Sequence, residues 1–251
     1  SGRIYTCMIT NLVVNGCSYM ATYAEGLGHR DLGKRLGLFG ESITVTGSAN
    51  SRILRTTLKH SYETDKKCLY VLGMTFISRE ELPICRYDEY SFPTEKEIWE
   101  GAWTNPQNQL FGKNRWIEQW SDVDTKNWIV FRQKYEQGTM VDRLENLMYQ
   151  MLAVRDSLTH RGHNCIIFQQ ADHWWDGMLL EEYDRIRLLE NNKNILGDFK
   201  WCAIREQHNA GVAYISGEEH VPEYLRHRQP HEHEWLNNYL EQYIKQHELH
   251  L

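Results

Sequence analysis

The chain has 251 residues, of which 41% are hydrophobic and 25% are charged, and its formal net charge at pH 7 is −6. This is the composition of a soluble globular protein, and the length suits one α/β domain with a substantial core. The acidic balance argues against a general nucleic-acid-binding protein, which needs a basic face. We therefore expect a single domain over residues 1–251.

The chain lacks sequence signals for membrane insertion and secretion. No apolar run approaches the length of a transmembrane helix, and the N-terminus has no basic region followed by a long apolar one. Its six cysteines form no Cys-x-x-Cys pair, which argues against a zinc knuckle or a thioredoxin-type site. We expect reduced thiols in a cytoplasmic protein that has no membrane partner.

The first ninety residues alternate between strand and helix patterns. Strands are predicted near residues 10–16, 42–46 and 68–73, and helices near residues 22–37 and 50–61. This spacing predicts a βαβαβ unit with right-handed crossovers and a mostly parallel sheet.

A serine follows the first predicted strand. The apolar residues Leu12, Val13 and Val14 have the character of a buried strand and lead into Gly16-Cys17-Ser18. A serine at such a strand-to-helix turn lies at the carboxyl edge of the sheet, where open α/β folds bind ligands. The N-terminus of the next helix directs its N–H groups and its positive dipole end to this edge, which suits a nucleophile whose attack creates an oxyanion. The alternative interpretation is an ordinary strand end with a serine that caps the helix.

Residues 79–134 have a looser pattern. This segment contains Pro83, Pro93 and Pro106, and five of the nine tryptophans. Long irregular segments inside a compact domain usually have a function. We predict a Trp-rich helical insertion or lid over the carboxyl edge of the sheet, and a packed helical subdomain is the alternative.

The second half of the chain again alternates between helix and strand. The apolar spacing predicts a helix over residues 139–161 that ends at Gly162. Further elements are a strand at 164–168, a helix at 177–196, a short strand at 212–215 and a final helix at 231–247.

Four blocks of the sequence together resemble the SGNH (GDSL-like) hydrolases. The first is Gly16-Cys17-Ser18-Tyr19, and the last is a His-x-x-Pro-x-x-His segment, from His227 to His233, before the final helix. Residues 46–53, Thr-Gly-Ser-Ala-Asn-Ser-Arg-Ile, resemble the second block, and residues 71–75, Val-Leu-Gly-Met-Thr, resemble the third. The first block is most similar to a divergent branch from phages and marine viruses, in which Gly-Cys-Ser replaces Gly-Asp-Ser.

The resemblance implies a three-layer α/β/α sandwich with a flavodoxin-like sheet. It implies a serine-dependent ester hydrolase or acyltransferase without a cofactor, and an acylated carbohydrate is one candidate substrate. Ser18 would be the nucleophile and His227 the base. The oxyanion would be held by the N–H groups of Ser18 and Gly47 and by a side chain of the third block, Thr75. A viral protein of this type would work in the host cytoplasm.

The chain departs from the family pattern at two positions. The family normally has an aspartate three residues before the base, where this chain has Tyr224, so the adjacent Glu223 is the first candidate for the acid. The third block normally carries an asparagine where this chain has Thr75, and Asn50 is an alternative donor. These departures favour a second hypothesis, a catalytically silent SGNH-fold protein that binds a sugar, a nucleotide or a partner protein.

A third hypothesis is a transition-metal site built from His220, His227, His231 and His233. Neither a cysteine nor a spaced His-Glu motif completes such a ligand set, so we expect no metal and no cofactor.

Overall fold

The computed structural model describes residues 8–45, 48, 50–75, 79–87, 93–103, 140–170, 193–194, 203 and 233–251. Six strands and five helices are defined in these ranges. The strands are β1 (Asn11–Gly16), β2 (Phe39–Ser42), β3 (Cys68–Met74), β4 (Arg79–Tyr87), β5 (Pro93–Trp103) and β6 (Asn164–Gln169). The helices are α1 (Ser18–Glu25), α2 (Gly28–Leu36), α3 (Asn50–Glu63), α4 (Met140–His160) and α5 (His233–Gln246).

Four strands form a parallel sheet in the order β2-β1-β3-β6. In its register Val13 is opposite Glu41 on one side and Tyr70 on the other, and Tyr70 is opposite Cys165. The predicted α/β class and the mostly parallel sheet are confirmed. In chain order, β2 is added on one side of β1, and β3 and then β6 are added on its other side. The order of strand addition therefore reverses at β1, and the switch point lies between β1 and β3. Open α/β folds bind their ligands in the crevice at this switch point, at the carboxyl ends of the strands.

The two faces of the sheet carry separate apolar clusters, because alternate residues of a strand point to opposite faces. Leu12 and Val14 of β1 belong to the cluster that contains residues of α1, α2 and α5. Val13 belongs to the other cluster, with residues of α3 and α4. All three side chains are fully buried.

The segment predicted as one helix near 22–37 forms two helices, since α1 begins at Ser18 and ends before Gly26. Between the helices Leu27 has a left-handed backbone with φ of 62°. The next strand occupies Phe39–Ser42 rather than 42–46. A Cβ atom on Gly33 would lie 2.8 Å from the carbonyl oxygen of Leu38 and 3.0 Å from the nitrogen of Gly40. Close packing of α2 on β2 thus determines where this strand lies.

The prediction of a helical insertion over residues 79–134 is wrong for its first part. Residues 79–87 and 93–103 form an antiparallel hairpin, in which Pro83 is opposite Trp99 and Tyr87 is opposite Pro93. Among the described residues each of these two strands pairs on one side only, and proline is tolerated on an unpaired strand edge. Residues 104–134 lie outside the described residues, and the predicted lid over this segment stays a prediction.

The predicted helix over 139–161 is confirmed as α4, and the chain leaves it through Gly162, which has a φ of 77°. The strand and the final helix that follow are confirmed as β6 and α5. Of the helix predicted at 177–196, only residues 193–194 are described, and they form a turn. The strand predicted at 212–215 lies outside the described residues. Among the helices described, none has the length and apolar character needed to cross a membrane.

Candidate functional site

The carboxyl ends of β1 and β3 lie side by side, with Gly16 opposite Gly73. After Gly16 the chain turns at Cys17 and enters α1 at Ser18, and after Met74 it reaches Thr75. Because the strands are parallel, Ser18 and Thr75 follow neighbouring strand ends at the same edge of the sheet. This edge includes the switch point of the fold.

Cys17 occupies the N-cap position of α1, so Ser18 is not the capping residue that the alternative interpretation assumed. The Cys17 side chain makes no capping hydrogen bond, and its carbonyl accepts a hydrogen bond of 2.9 Å from the N–H of Ala21. The N–H groups of the first helical turn have no intrahelical acceptor. The backbone N–H of Ser18 is one of these groups, and the positive end of the helix dipole coincides with them.

Met20, in the first turn of α1, packs across both strand ends. A Cβ atom on Gly73 would lie 2.5 Å from Met20 Cγ and 2.9 Å from its Sδ, and a Cβ on Gly16 would overlap the same side chain. Met20 is fully buried. The two glycines therefore allow α1 to begin directly above the ends of β1 and β3.

Asn15 anchors the end of β1 to α3. Its buried side-chain nitrogen lies 2.9 Å from the carbonyl oxygen of Ile53, from Thr56 Oγ1 and from Thr57 Oγ1. Its Oδ1 accepts a hydrogen bond of 2.9 Å from the N–H of Gly16. Asn15 directly precedes the first block, but sequence reasoning assigned it no role, because the partners of its side-chain nitrogen lie about forty positions away.

Val45, the residue before the second block, is hydrogen-bonded to the end of β1. The N–H of Val45 donates to the carbonyl of Gly16 over 3.4 Å. The Val45 carbonyl accepts hydrogen bonds from the backbone N–H of Ser48 at 3.2 Å and from its hydroxyl at 2.6 Å. Gly47 itself lies outside the described residues, but Val45 is hydrogen-bonded to the carboxyl end of β1 and Ser48 is hydrogen-bonded to Val45.

Asn50, the first residue of α3, holds both backbone polar groups of Thr75. The Thr75 N–H donates to Asn50 Oδ1 over 2.8 Å, and Asn50 Nδ2 donates to the Thr75 carbonyl over 3.1 Å. Asn50 is 5% exposed and Thr75 is fully buried. The second and third blocks, which are 25 residues apart in sequence, therefore meet through a reciprocal pair of hydrogen bonds.

The hydroxyl of Thr75 is buried and makes no hydrogen bond to any residue that the structure describes. A buried polar group without a partner is uncommon and costs about 1–3 kcal/mol. The other amide side chains at this edge belong to Gln169 and Gln170 at the end of β6, which are also buried. The N–H of Gln170 donates to the carbonyl of Met74 over 3.0 Å and extends the sheet by one residue.

The C-terminal helix α5 packs against α1 and α2 through polar contacts. The ring of His233 lies edge-on to the ring of Tyr23, with 5.1 Å between their centroids. The Tyr23 hydroxyl donates to Asn237 Oδ1 over 2.6 Å, and Asn237 Nδ2 donates to Asp31 Oδ2 over 2.9 Å. Burial raises the pKa of Tyr23 well above its ordinary value, so the hydroxyl stays protonated and donates.

Arg35 adds a cluster of charges to the same interface. Its guanidinium contacts Asp31 in the same helix and Glu234 in α5, each at 2.8 Å. Hydrogen bonds to these carboxylates raise the pKa of Arg35, chiefly through Glu234. These contacts hold the N-terminus of α5, which begins at His233, against α2.

Of the predicted site residues, the structure joins Asn50 to Thr75 by hydrogen bonds and places Ser18 after the neighbouring strand, at the same edge of the sheet. Gly47, Glu223 and His227 lie outside the described residues, as do three of the four histidines considered for a metal. Within the part of the chain that the structure covers, no three His, Cys, Asp or Glu side chains are grouped as in a metal site. Comparisons of the chain with models of protein families, with curated proteins and with solved structures found no match.

Proposed function

We propose that the chain is a serine-dependent ester hydrolase or acyltransferase of SGNH type, with a three-layer α/β/α fold and Ser18 as its nucleophile. The observation that carries the proposal is the placement of Ser18. It begins a helix just after the central strand β1, at the switch point of a parallel sheet, and Thr75 follows the neighbouring strand β3 at the same edge.

In the proposed reaction the Ser18 oxygen attacks the carbonyl carbon of an ester while His227 takes the hydroxyl proton. The tetrahedral intermediate collapses when the C–O bond to the alcohol breaks, and the alcohol leaves with the proton from His227. The acyl group is then carried by Ser18. Water, or a second alcohol in an acyltransferase, loses a proton to His227, attacks the acyl carbon and releases the product, and the proton returns to Ser18.

The negative charge of the intermediate needs donors that converge on one oxygen. We assign this role to the backbone N–H groups of Ser18 and Gly47 and to one side chain of the third block. The N–H groups at the start of α1, which have no acceptor within the helix, support the first assignment. The hydrogen bonds that tie Val45 to Gly16, and Ser48 to Val45, support the second.

His227 is the proposed base because it begins the His-x-x-Pro-x-x-His segment whose last histidine is His233. Six residues of extended chain span about 20 Å. The helical rise between Ser18 and Tyr23, whose ring contacts His233, is only about 8 Å. Since His233 is fixed beside Tyr23, chain length permits His227 to reach the start of α1.

A carboxylate beside the second ring nitrogen of the base would hold its tautomer. Tyr224 occupies the position where the family has an aspartate, so we assign this role to the adjacent Glu223. The enzyme is a Ser-His dyad if the orienting partner is instead a backbone carbonyl.

The proposed substrate is a neutral polar ester such as an acylated carbohydrate. The described polar side chains at the carboxyl ends of β3 and β6 are uncharged, namely those of Thr75, Gln169 and Gln170. Such groups hydrogen-bond to hydroxyls and do not require a charged ligand. Tryptophans of residues 104–134, as part of a lid, would add apolar surface for a sugar ring.

A fluorophosphonate probe tests the proposal, because the serine oxygen displaces its fluoride only where the hydroxyl is activated. We expect wild-type protein to be labelled and to hydrolyse p-nitrophenyl acetate, and Ser18→Ala to abolish both. The matched control is Ser51→Ala, which changes an exposed serine in the first turn of α3. Absence of both signals in folded wild-type protein would contradict the proposal.

That negative result would favour the second candidate, a catalytically silent SGNH-fold protein that binds a sugar, a nucleotide or a partner protein. The observations in its favour are Tyr224 and Thr75 at the positions where the family has its aspartate and asparagine.

A further inference from the structure

The amino edge of the sheet, opposite the edge of the candidate site, carries aromatic and basic residues. Phe39 begins β2, and Lys66 and Lys67 directly precede β3. Tyr62 lies in the last turn of α3, and Arg161 lies between α4 and β6. In the sheet order β2-β1-β3-β6 the strands that carry these positions are three strand spacings apart, about 14 Å. We call these five residues the amino-edge patch.

Both aromatic residues of the patch are mostly exposed, Phe39 at 65% and Tyr62 at 66%. Each has a cation over its ring. The Lys66 ammonium lies 5.6 Å from the centroid of the Phe39 ring. The central carbon of the Arg161 guanidinium lies 3.9 Å from the centroid of the Tyr62 ring. Because both residues remain mostly exposed, ring surface is left beside each cation for a ligand to contact.

Backbone carbonyls hold two of the cations in place. Lys67 Nζ donates to the carbonyl of Arg161. Arg161 donates through Nε and Nη2 to the carbonyl of Ser61, at 3.2 Å and 2.7 Å. A neutral carbonyl accepts hydrogen bonds without cancelling the positive charge, so both groups can still attract an anion.

Carboxylates cancel little of this positive charge. Among the residues that the structure describes, no ion pair involves a cation of the patch. Glu63 pairs with Lys59 at 3.7 Å, and Asp65 is exposed in the turn before β3. The patch is therefore locally positive in a chain whose formal net charge is −6.

We propose that the amino-edge patch binds a short segment of single-stranded nucleic acid. The cations contact phosphates, and the rings of Phe39 and Tyr62 stack on bases. Aromatic rings set among cations are the usual means of binding single strands without sequence preference. An acidic peptide fits less well, because the negative face of an aromatic ring repels a carboxylate. A duplex fits less well, because its bases already stack on one another.

The acidic net charge argues against a general nucleic-acid-binding surface, so the contact is confined to this patch and depends steeply on salt. Fluorescence anisotropy of a labelled single-stranded oligothymidylate measures it. We expect the full chain to bind at low ionic strength. The slope of log Kobs against log salt concentration should be about −2, since the three cations each contribute about −0.7 on a single strand.

Phe39→Ala tests the stacking contact. An exposed ring can be removed with little effect on stability, so the melting temperature should stay at the wild-type value. We expect Kd for the oligothymidylate to rise about 10-fold, the scale of one lost base stack. Tyr149→Ala is the matched control, because it removes an exposed ring from the middle of α4 and should leave Kd unchanged.

Lys66→Gln tests the phosphate contact and should reduce the steepness of the salt dependence by about 0.7. Lys193→Gln is its control, because this exposed lysine precedes Asn194, whose carbonyl accepts from the N–H of Ile167 in the carboxyl half of β6. Asp65→Asn removes a carboxylate beside Lys66 and should strengthen binding.

Absence of binding at low ionic strength overturns the proposal. Binding that neither Phe39→Ala nor Lys66→Gln weakens also overturns it, because the strand would then bind elsewhere. Displacement of the oligothymidylate by polyglutamate as readily as by unlabelled strand would assign the patch to an acidic protein segment instead. The inference does not depend on the proposed function, since Ser18→Ala should bind the strand as the wild-type protein does.

Discussion

Gly16 and Gly73 are opposite each other at the carboxyl ends of β1 and β3, and the side chain of Met20 covers both. The pair lies at the carboxyl edge of the sheet, where the first turn of α1 packs on the strand ends. A side chain at either glycine would push α1, and therefore Ser18, away from the strand ends.

We expect Gly73→Ala to destabilise the protein by about 1–3 kcal/mol, the usual cost of adding a methyl group to a packed core. The added carbon would lie 2.5 Å from Met20 Cγ and 3.2 Å from Gln170 Oε1. Urea denaturation of the single variants and of Gly73→Ala/Met20→Ala measures the coupling. The penalty of Gly73→Ala should shrink when Met20 is truncated, and additive penalties would show that Met20 is not the obstacle.

The local part of the fold is predictable from sequence because it depends on neighbouring residues. The apolar run before Gly16 predicts β1, the helical spacing of residues 139–161 predicts α4, and Gly162 is correctly predicted to end it. The meeting of Asn50 with Thr75 depends on tertiary packing, and local pattern says nothing about it. The same holds for the position of β2, where contact between Gly33 and the backbone of Gly40 decides the outcome.

The hairpin at residues 79–103 shows how a local signal can mislead. Pro83 and Pro93 predict interrupted structure, whereas both lie in strands of a two-stranded ribbon. Each strand of such a ribbon has a free edge that needs no N–H donor, so the usual exclusion of proline from sheets does not apply. A single sequence does not reveal how many strands a sheet contains.

The second prediction concerns the contact between α1 and α5. Tyr23→Phe removes the hydroxyl that donates to Asn237 Oδ1 and leaves that buried acceptor without its partner, so we expect a loss of about 1–3 kcal/mol. Tyr243→Phe is the control, because its hydroxyl bonds to the carbonyl of Lys193 at the surface and should contribute about 0.5 kcal/mol or less.

Thermal unfolding of both tyrosine variants makes this comparison. Equal losses would mean that the Tyr23 hydroxyl does not stabilise the docking of α5. We also expect Tyr23→Phe to slow fluorophosphonate labelling of Ser18, because α5 holds the segment that carries His227. Tyr243→Phe should leave the labelling rate unchanged.

The third prediction is a loss of stability in mild acid that depends on His163. This residue is 3% exposed, and its Nδ1 accepts a hydrogen bond of 3.2 Å from the N–H of Cys68. Burial is the main cause that lowers the pKa of His163, and the charges of Lys67 and Arg161 lower it further. A hydrogen bond to the backbone of Ser61 opposes the shift.

The sign of the pH effect follows from this lowered pKa. Below the ordinary histidine pKa of about 6.5, His163 binds a proton in the unfolded chain. In the folded protein its pKa is lower, so it binds that proton only at a more acidic pH. The stabilising contribution is therefore complete above about pH 6.5 and is lost as the pH falls through the pKa of the folded state. His29 should act in the same direction, since burial also lowers its pKa.

His163→Asn keeps an acceptor for the Cys68 N–H and removes the titrating group. Urea denaturation at several pH values between 5 and 8 should show a shallower loss of stability in acid than for wild-type protein. His160→Asn, at an exposed histidine near the end of α4, is the control and should keep the wild-type slope. An unchanged slope for His163→Asn would show that other groups cause the acid sensitivity.

The last prediction assigns the base among the C-terminal histidines. His227→Ala should reduce esterase activity and probe labelling about as much as Ser18→Ala, because the members of a catalytic unit do not contribute additively. His231→Ala should cost little, since the family pattern gives that position no role. His233 is buried against Tyr23, so His233→Ala should lower the melting temperature and affect activity mainly through α5. If His231→Ala is the damaging change and His227→Ala is harmless, the base is His231 and the match of this segment to the family pattern is wrong.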